Sequence, residues 1–157
     1  MVDVKALLAY NQDVRHRYLD AIAKLPWPEV VKDRGASWHS IRNIFVHTMG
    51  ATDYWIDFLR GEKLRSQKKY DEYQSIDDVR GYMDHVEKRF NHHLASLTPK
   101  SLGKKYRLKS DEDKEIDVTA EDVLIHVFEE EVHHRGELIA ILWQMEIEPP
   151  LMGWRSL

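Results

Sequence analysis

Residues 120 to 145 read AEDVLIHVFEEEVHHRGELIAILWQM. Val123, Val127, Leu138, Ile141 and Leu142 recur at helical spacing, so the stretch predicts one long amphipathic helix from Ala120 to Met145. Between Val127 and Leu138 the apolar line runs through Glu130 or Glu131 and then His134. Carboxylates and imidazoles on the buried side of a helix are costly unless something holds them. A metal ion is one such holder.

Three more helices are predicted upstream. The first runs from Val4 to Leu25, opened by Asp3 and stopped by Pro26 and Pro28. Asn11 and Arg15 lie on or beside its apolar line and read first as boundary residues hydrogen-bonded to a neighbouring helix; His16 falls off the line and is expected in solvent. The second runs from Trp38 to Leu59, with Ser37 as its cap and Gly61 as its left-handed stop. Its expected buried stripe is Ile41, Ile44, Phe45, Thr48, Ala51, Trp55 and Phe58, with His47 pointing the same way. The third runs from Ile76 to Leu97, with Ser75 and Asp78 in capping-box spacing. His85, His92 and His93 fall away from its core line and are expected at the surface. Gly61 to Gln74 is a polar connection. Thr98 to Val118 contains Pro99 and Gly103, alternates weakly, and reads as a short hairpin or an irregular crossover. Thr119 and Asp122 open the last helix, and the tail LMGWRSL, with Trp154, is expected to pack back on the domain or on a partner. The sum is an all-α, four-helix bundle with a long crossover connection between the third and fourth helices. It forms a single domain over residues 1–157.

Composition narrows the function. Apolar residues make up 43% and charged residues 32% of the 157, enough for a real core in a globular chain. The net charge is −4 with both signs interspersed and no basic block, which argues against nucleic acid as a partner. No stretch approaches the roughly 18 apolar residues of a membrane span. The opening MVDVKALLAY carries early charge and no signal-peptide pattern, so a cytoplasmic location is expected. With no cysteine, thiolate ligands and a cysteine nucleophile are excluded, and any thiol chemistry must use a thiol from outside.

Glu130 and His134 are four residues apart, one turn and about 40° on a helix. With His47 they form two imidazoles and one carboxylate, a three-ligand set that leaves room for water or substrate. Nitrogen and oxygen donors suit Zn, Ni, Fe or Mn. Spacing alone leaves alternatives open. EEEVHHR also reads as a charged solvated face, Glu131 is as close in sequence as Glu130, and His126 and His133 share one side of the helix. A lone histidine on an apolar face, such as His47, is more often a hydrogen-bonded core residue than a ligand. A carboxylate-bridged two-metal site finds no second Glu-x-x-His pair on another core line.

IRNIFVHTMGATDYWIDFLRG around His47 and LIHVFEEEVHHRGELIAIL around His134 resemble the DinB/YfiT-like superfamily of metal-dependent bundle proteins. The resemblance spans nearly the whole chain. Helix four of the family typically reads His-x3-His-Arg-Gly-Gln; His134, Arg135 and Gly136 match, Glu130 replaces the first histidine and Glu137 the glutamine. The resemblance implies a homodimer and a metal on His47, Glu130 and His134. Some members of the superfamily look like thiol-dependent transferases or isomerases in which the metal activates a low-molecular-weight thiol; a metal-activated water would instead give a hydrolase acting on a small molecule. In that enzyme Glu131 or Glu137 is the candidate general base, and Asn11 and Arg15 position the substrate. The alternative is a non-catalytic dimeric module, such as a stress-response protein whose bundle face binds a partner.

Overall fold

The computed structural model describes residues 3–65, 69–109 and 113–150. The tail that carries Trp154 lies outside the described residues. Helix α1 spans Val4–Ile22, α2 Trp27–Val31, α3 Ile41–Arg60, α4 Ile76–Ser96, α5 Pro99–Leu102 and α6 Ala120–Gln144. Strands β1 (Lys105–Lys109) and β2 (Glu115–Thr119) pair antiparallel, with Tyr106 opposite Val118 and Leu108 opposite Ile116. The protein is therefore mostly helical, with one small two-stranded sheet in the connection before α6. Helix α3 packs on α4 and α6, and α1 packs on α6 and α4. Tyr18, Leu8, Ile44, Met49, Met83, Leu124 and Leu142 are among the side chains enclosed between them. Among the described residues no helix is long and apolar enough to cross a membrane.

Local chemistry sets the helix starts. The Asp3 carboxylate accepts from the Lys5 amide at 2.9 Å, and Ser75 Oγ accepts from the Asp78 amide at 3.1 Å. Thr119 and Asp122 form a reciprocal capping box. Each satisfies amides that the first helical turn leaves without partners. Gly61 ends α3 at φ 66°, and Glu62 N donates to Asp57 O at 2.9 Å across the turn.

Four features depart from the sequence reading. Helix α1 stops at Ile22, and Pro26 and Pro28 do more than end it: they start the short α2, whose Val30 is buried. Proline fits the first helical turn because its fixed φ is already helical and no amide is needed there. Ser37 is not the cap of α3. Ser40 is, its Oγ accepting from the Asn43 amide at 3.2 Å, because His39 turns the chain at φ 68° and the helix begins after it. The buried face of α3 is also rotated. Met49, Thr52, Asp53, Ile56 and Asp57 are buried, whereas Ala51, Trp55 and Phe58 are half-buried. The cause is Arg89 of α4, which pairs with both Asp53 and Asp57 and so lets two carboxylates face a helix interface. Finally, His93 is half-buried rather than at the surface.

The hairpin is tied to the helices at its open end. Tyr106 Oη donates to Leu59 O at 3.0 Å, and Ala120 N donates to Lys104 O at 3.0 Å. Arg107 pairs with Glu115 and Asp117 on its outer face. The inner face, with Tyr106, Leu108, Ile116 and Val118, is apolar, as the period-two alternation of a strand requires.

Candidate metal centre

Helix α6 carries two polar rows where it passes between α1 and α3. Successive residues on a helix are about 100° apart, so Glu130 and His134 face α3 while Glu131 and Arg135 face α1. His47 projects from α3 into the first row. Its Nε2 lies 3.7 Å from Glu130 Oε2, and His134 Nε2 lies 3.3 Å from the same oxygen. The three donor atoms are all within 4.8 Å of one another. A tetrahedral shell with ~2.0–2.1 Å bonds has its ligand atoms about 3.4 Å apart. The observed spacing, two neutral-capable imidazoles and one carboxylate fit a divalent cation.

Neighbouring side chains orient both histidines. The His47 ring stacks on Trp38 with centroids 3.9 Å apart and an interplanar angle of 21°. Burial, reinforced by the neighbouring His134, holds the His47 imidazole below its ordinary pKa, with Glu130 pulling the other way. A neutral ring keeps a lone pair free for a ligand. His134 is buried, and its Nδ1 lies 2.6 Å from Glu137 Oε2. With Nδ1 as the donor, Nε2 is left unprotonated and aimed at Glu130 and His47. This is the arrangement by which a carboxylate fixes the tautomer of a metal-ligating histidine. Glu137 is itself held by Ser37, whose Oγ donates at 2.9 Å and whose amide donates at 3.2 Å. Burial pushes the Glu137 carboxyl up, but the donors from His134 and Ser37 outweigh it and leave its pKa below the usual range.

The three donors sit in an open cleft of about 500 Å³ walled by Trp38, Tyr54 and Trp55. His126 and His133 line it as well. His126 lies edge-on to Trp55 with centroids 5.3 Å apart. The apolar walls of the cleft are thus aromatic, with the polar groups converging at one end, the usual form of a small-molecule site.

Glu131, Asn11 and Arg15 do not share this cleft. The Glu131 carboxylate accepts from Arg15 Nε at 2.7 Å and Nη2 at 2.5 Å, and from Asn11 Nδ2 at 2.8 Å. Arg15 also donates to Glu87 of α4 at 2.7 Å, and Arg135 donates to Asn11 Oδ1 at 2.8 Å. All five side chains are buried. Burial alone would lower the Arg15 pKa; Glu131 and Glu87 more than reverse this. His16, expected in solvent, instead lies 2.7 Å from the other Glu87 oxygen at the edge of the network. Glu137, the other base candidate, lies behind His134 rather than across the cleft from it.

Ser37, Trp38, Glu87 and Arg135 were not singled out by the sequence for these places. Arg135 carried a signal: it is four residues after Glu131 and so on the same face. Ser37 and Trp38 carried none, because they reach the site through the turn at His39 rather than through a helix.

The DinB family model matches residues 1–156, and the chain belongs to the DinB family. The fold is similar to that of a DinB-like protein from Bacillus cereus ATCC 10987 solved by crystallography. The TM-score is 0.75 at 14% identity, over 96% of this chain and 95% of that one. No curated protein sequence matches.

Proposed function

We propose that this DinB-family chain holds a divalent cation on His47, Glu130 and His134 and serves a hydrolysis or thiol-dependent transfer on a small molecule. One observation carries the reading: His47 Nε2, His134 Nε2 and Glu130 Oε2 converge while His134 Nδ1 is already committed to Glu137. A plain ion-pair cluster gains nothing from fixing the tautomer of its histidine, but a ligand site does. A bound dication lowers the pKa of a coordinated water or thiol toward neutrality. The chain's own residues then do the positioning. Trp38 fixes the His47 ring, Glu137 and Ser37 fix His134, and Tyr54 and Trp55 supply a wall for substrate. The absence of cysteine means that a reacting thiol comes from outside. The metal is one of Zn, Ni, Fe or Mn, which the donor set suits alike. The reading takes α1, α3, α4 and α6 as a four-helix bundle with residues 98–119 as the long crossover, and extends to a homodimer in the cytoplasm.

Purified protein should contain about one equivalent of metal by elemental analysis, and His47→Ala should lose it. A chain that holds no stoichiometric metal, or whose affinity ignores His47→Ala, overturns the reading.

The second reading is a non-catalytic dimeric module of a stress response. It is favoured by the outer face of α6, where Ile125, Val132 and Trp143 are exposed around Gly136. Antiparallel pairing of α6 with a second copy would set Val132 against Gly136, where the glycine leaves room, and Ile125 against Trp143, apolar on apolar. Light scattering with and without chelator separates the two. A dimer indifferent to chelator, in protein that binds no metal, leaves only the module.

A further inference from the structure

Next to the metal cleft, with Trp55 between them, is a second cavity of about 230 Å³, between α3, the start of α6 and the hairpin. Trp55 and His126 line both cavities, so they form a shared wall. The other walls are Leu108 and Val118 of the hairpin and Val123 of α6. The one charged residue on its rim, Asp122, is already engaged. Its Oδ2 accepts from Thr119 N at 2.8 Å and Thr119 Oγ1 at 2.6 Å.

Three observations say that this side pocket is built to receive an apolar group. The hairpin presents its apolar face here through Leu108 and Val118. Inward-facing strand residues of this kind normally meet a core, and here they meet a cavity. The pocket is also preformed. Tyr106 is bonded to Leu59 and packs on Phe58 with centroids 5.5 Å apart, so the hairpin does not need to fold around a ligand. Water is a poor occupant, because the walls offer few polar partners to hold it.

We propose that the substrate carries a linear apolar substituent that lies in this side pocket, past Trp55 and His126, while its donor atom faces His47, Glu130 and His134. The inference rests on the metal-binding reading and adds the substrate class to it: a small molecule with a metal-seeking head and an alkyl or similarly slender tail. The hairpin is then the specificity element of the site, and Leu108 and Val118 set the length of tail accepted.

The test uses the full chain loaded with Co(II) and titrated with n-alkanethiols from ethanethiol to octanethiol, read by the thiolate-to-cobalt absorption band. Each added methylene that enters the pocket should tighten binding about fourfold, from the usual transfer free energy of a buried methylene. The series should then level off when the pocket is full. Val118→Trp fills the pocket from a strand position where an aromatic residue is well tolerated. It should abolish the chain-length dependence while leaving cobalt affinity and ethanethiol binding unchanged. Leu108→Ala, which removes a wall instead, should make the series shallower and serves if the tryptophan variant folds poorly. A flat series in cobalt-loaded wild-type protein, no thiol band at any length, or a slope that survives both substitutions overturns the side pocket alone. A protein that takes up no cobalt overturns the metal reading and this inference with it.

Discussion

Glu130 and Glu131 are adjacent in sequence, about 100° apart on α6, and do opposite things. Glu131 is buried against α1, and its two oxygens take three short hydrogen bonds from Arg15 and Asn11. Glu130 is half-buried beside α3 and meets two imidazoles at 3.3 and 3.7 Å, longer than a good hydrogen bond. One side of the helix is saturated and the other is not. A saturated buried network fixes how helices dock, and every partner it has is within the chain. An unsaturated cluster of donor atoms at the end of a cleft has capacity left for something that the chain does not supply. The same residue types therefore make a structural joint on one side of α6 and a candidate metal centre on the other.

The largest expected effect breaks the joint. Glu131→Ala leaves Arg15 with Glu87 as its remaining carboxylate partner and Asn11 short of an acceptor. Removing one partner of a buried ion pair costs about 3–5 kcal/mol, since the other charge stays in place without it. Glu130→Ala, on the half-exposed side, should cost less than about 1 kcal/mol in metal-free protein, as partly solvated pairs do. Urea unfolding of both variants in chelator measures the difference. Equal losses would mean that the two sides of α6 are not distinct.

That asymmetry marks how far the sequence could be read. The long helices were legible because their ends carry chemistry: Asp3, Ser75 with Asp78, Thr119 with Asp122, and Gly61 all act where their residue types predict. His47 and His134 stood out because an imidazole interrupting an apolar line needs a reason, and the structure brings them together with Glu130. What could not be read depends on residues distant in the chain. The apolar line of α6 passes between Glu130 and Glu131, so spacing alone could not say which faces what. Arg15, 116 residues away, decides it. Asp53 and Asp57 look like solvent residues until Arg89 is placed between them, and that placement turned the buried face of α3. Ser37 and Ser40 are equally good caps by type. Only the left-handed His39, which the sequence does not flag, moves the helix start to the second serine and releases the first to Glu137.

The comparison sharpens at Glu137, the carboxylate behind His134. Glu137→Gln keeps the shape but weakens the acceptor facing His134 Nδ1, so the ring loses part of its tautomeric and rotational bias. Removal of such a supporting partner typically costs about 10–100-fold in metal affinity. Stability in chelator should change little, because Glu137 ties one half-exposed turn rather than two helices. Competition against a chromophoric chelator gives the affinity, and urea unfolding gives the stability. A variant that loses stability as Glu131→Ala does, with metal affinity intact, would place Glu137 in a structural joint instead.

The smallest effect is expected one step further out. Ser37 is exposed and holds Glu137 by both its hydroxyl and its amide. Ser37→Ala removes the hydroxyl bond, worth about 0.5–1.5 kcal/mol at most, and leaves the amide in place. Metal affinity should therefore fall less than tenfold, and less than in Glu137→Gln, when both are measured by the same competition. The ordering matters more than the size. Support for His134 should weaken with each bond of distance from the ring, Glu137 first and Ser37 second. If Ser37→Ala matched Glu137→Gln, the hold on Glu137 would come chiefly from the hydroxyl. The turn at His39 that delivers Ser37 would then be as much a part of the centre as the helix that carries His134.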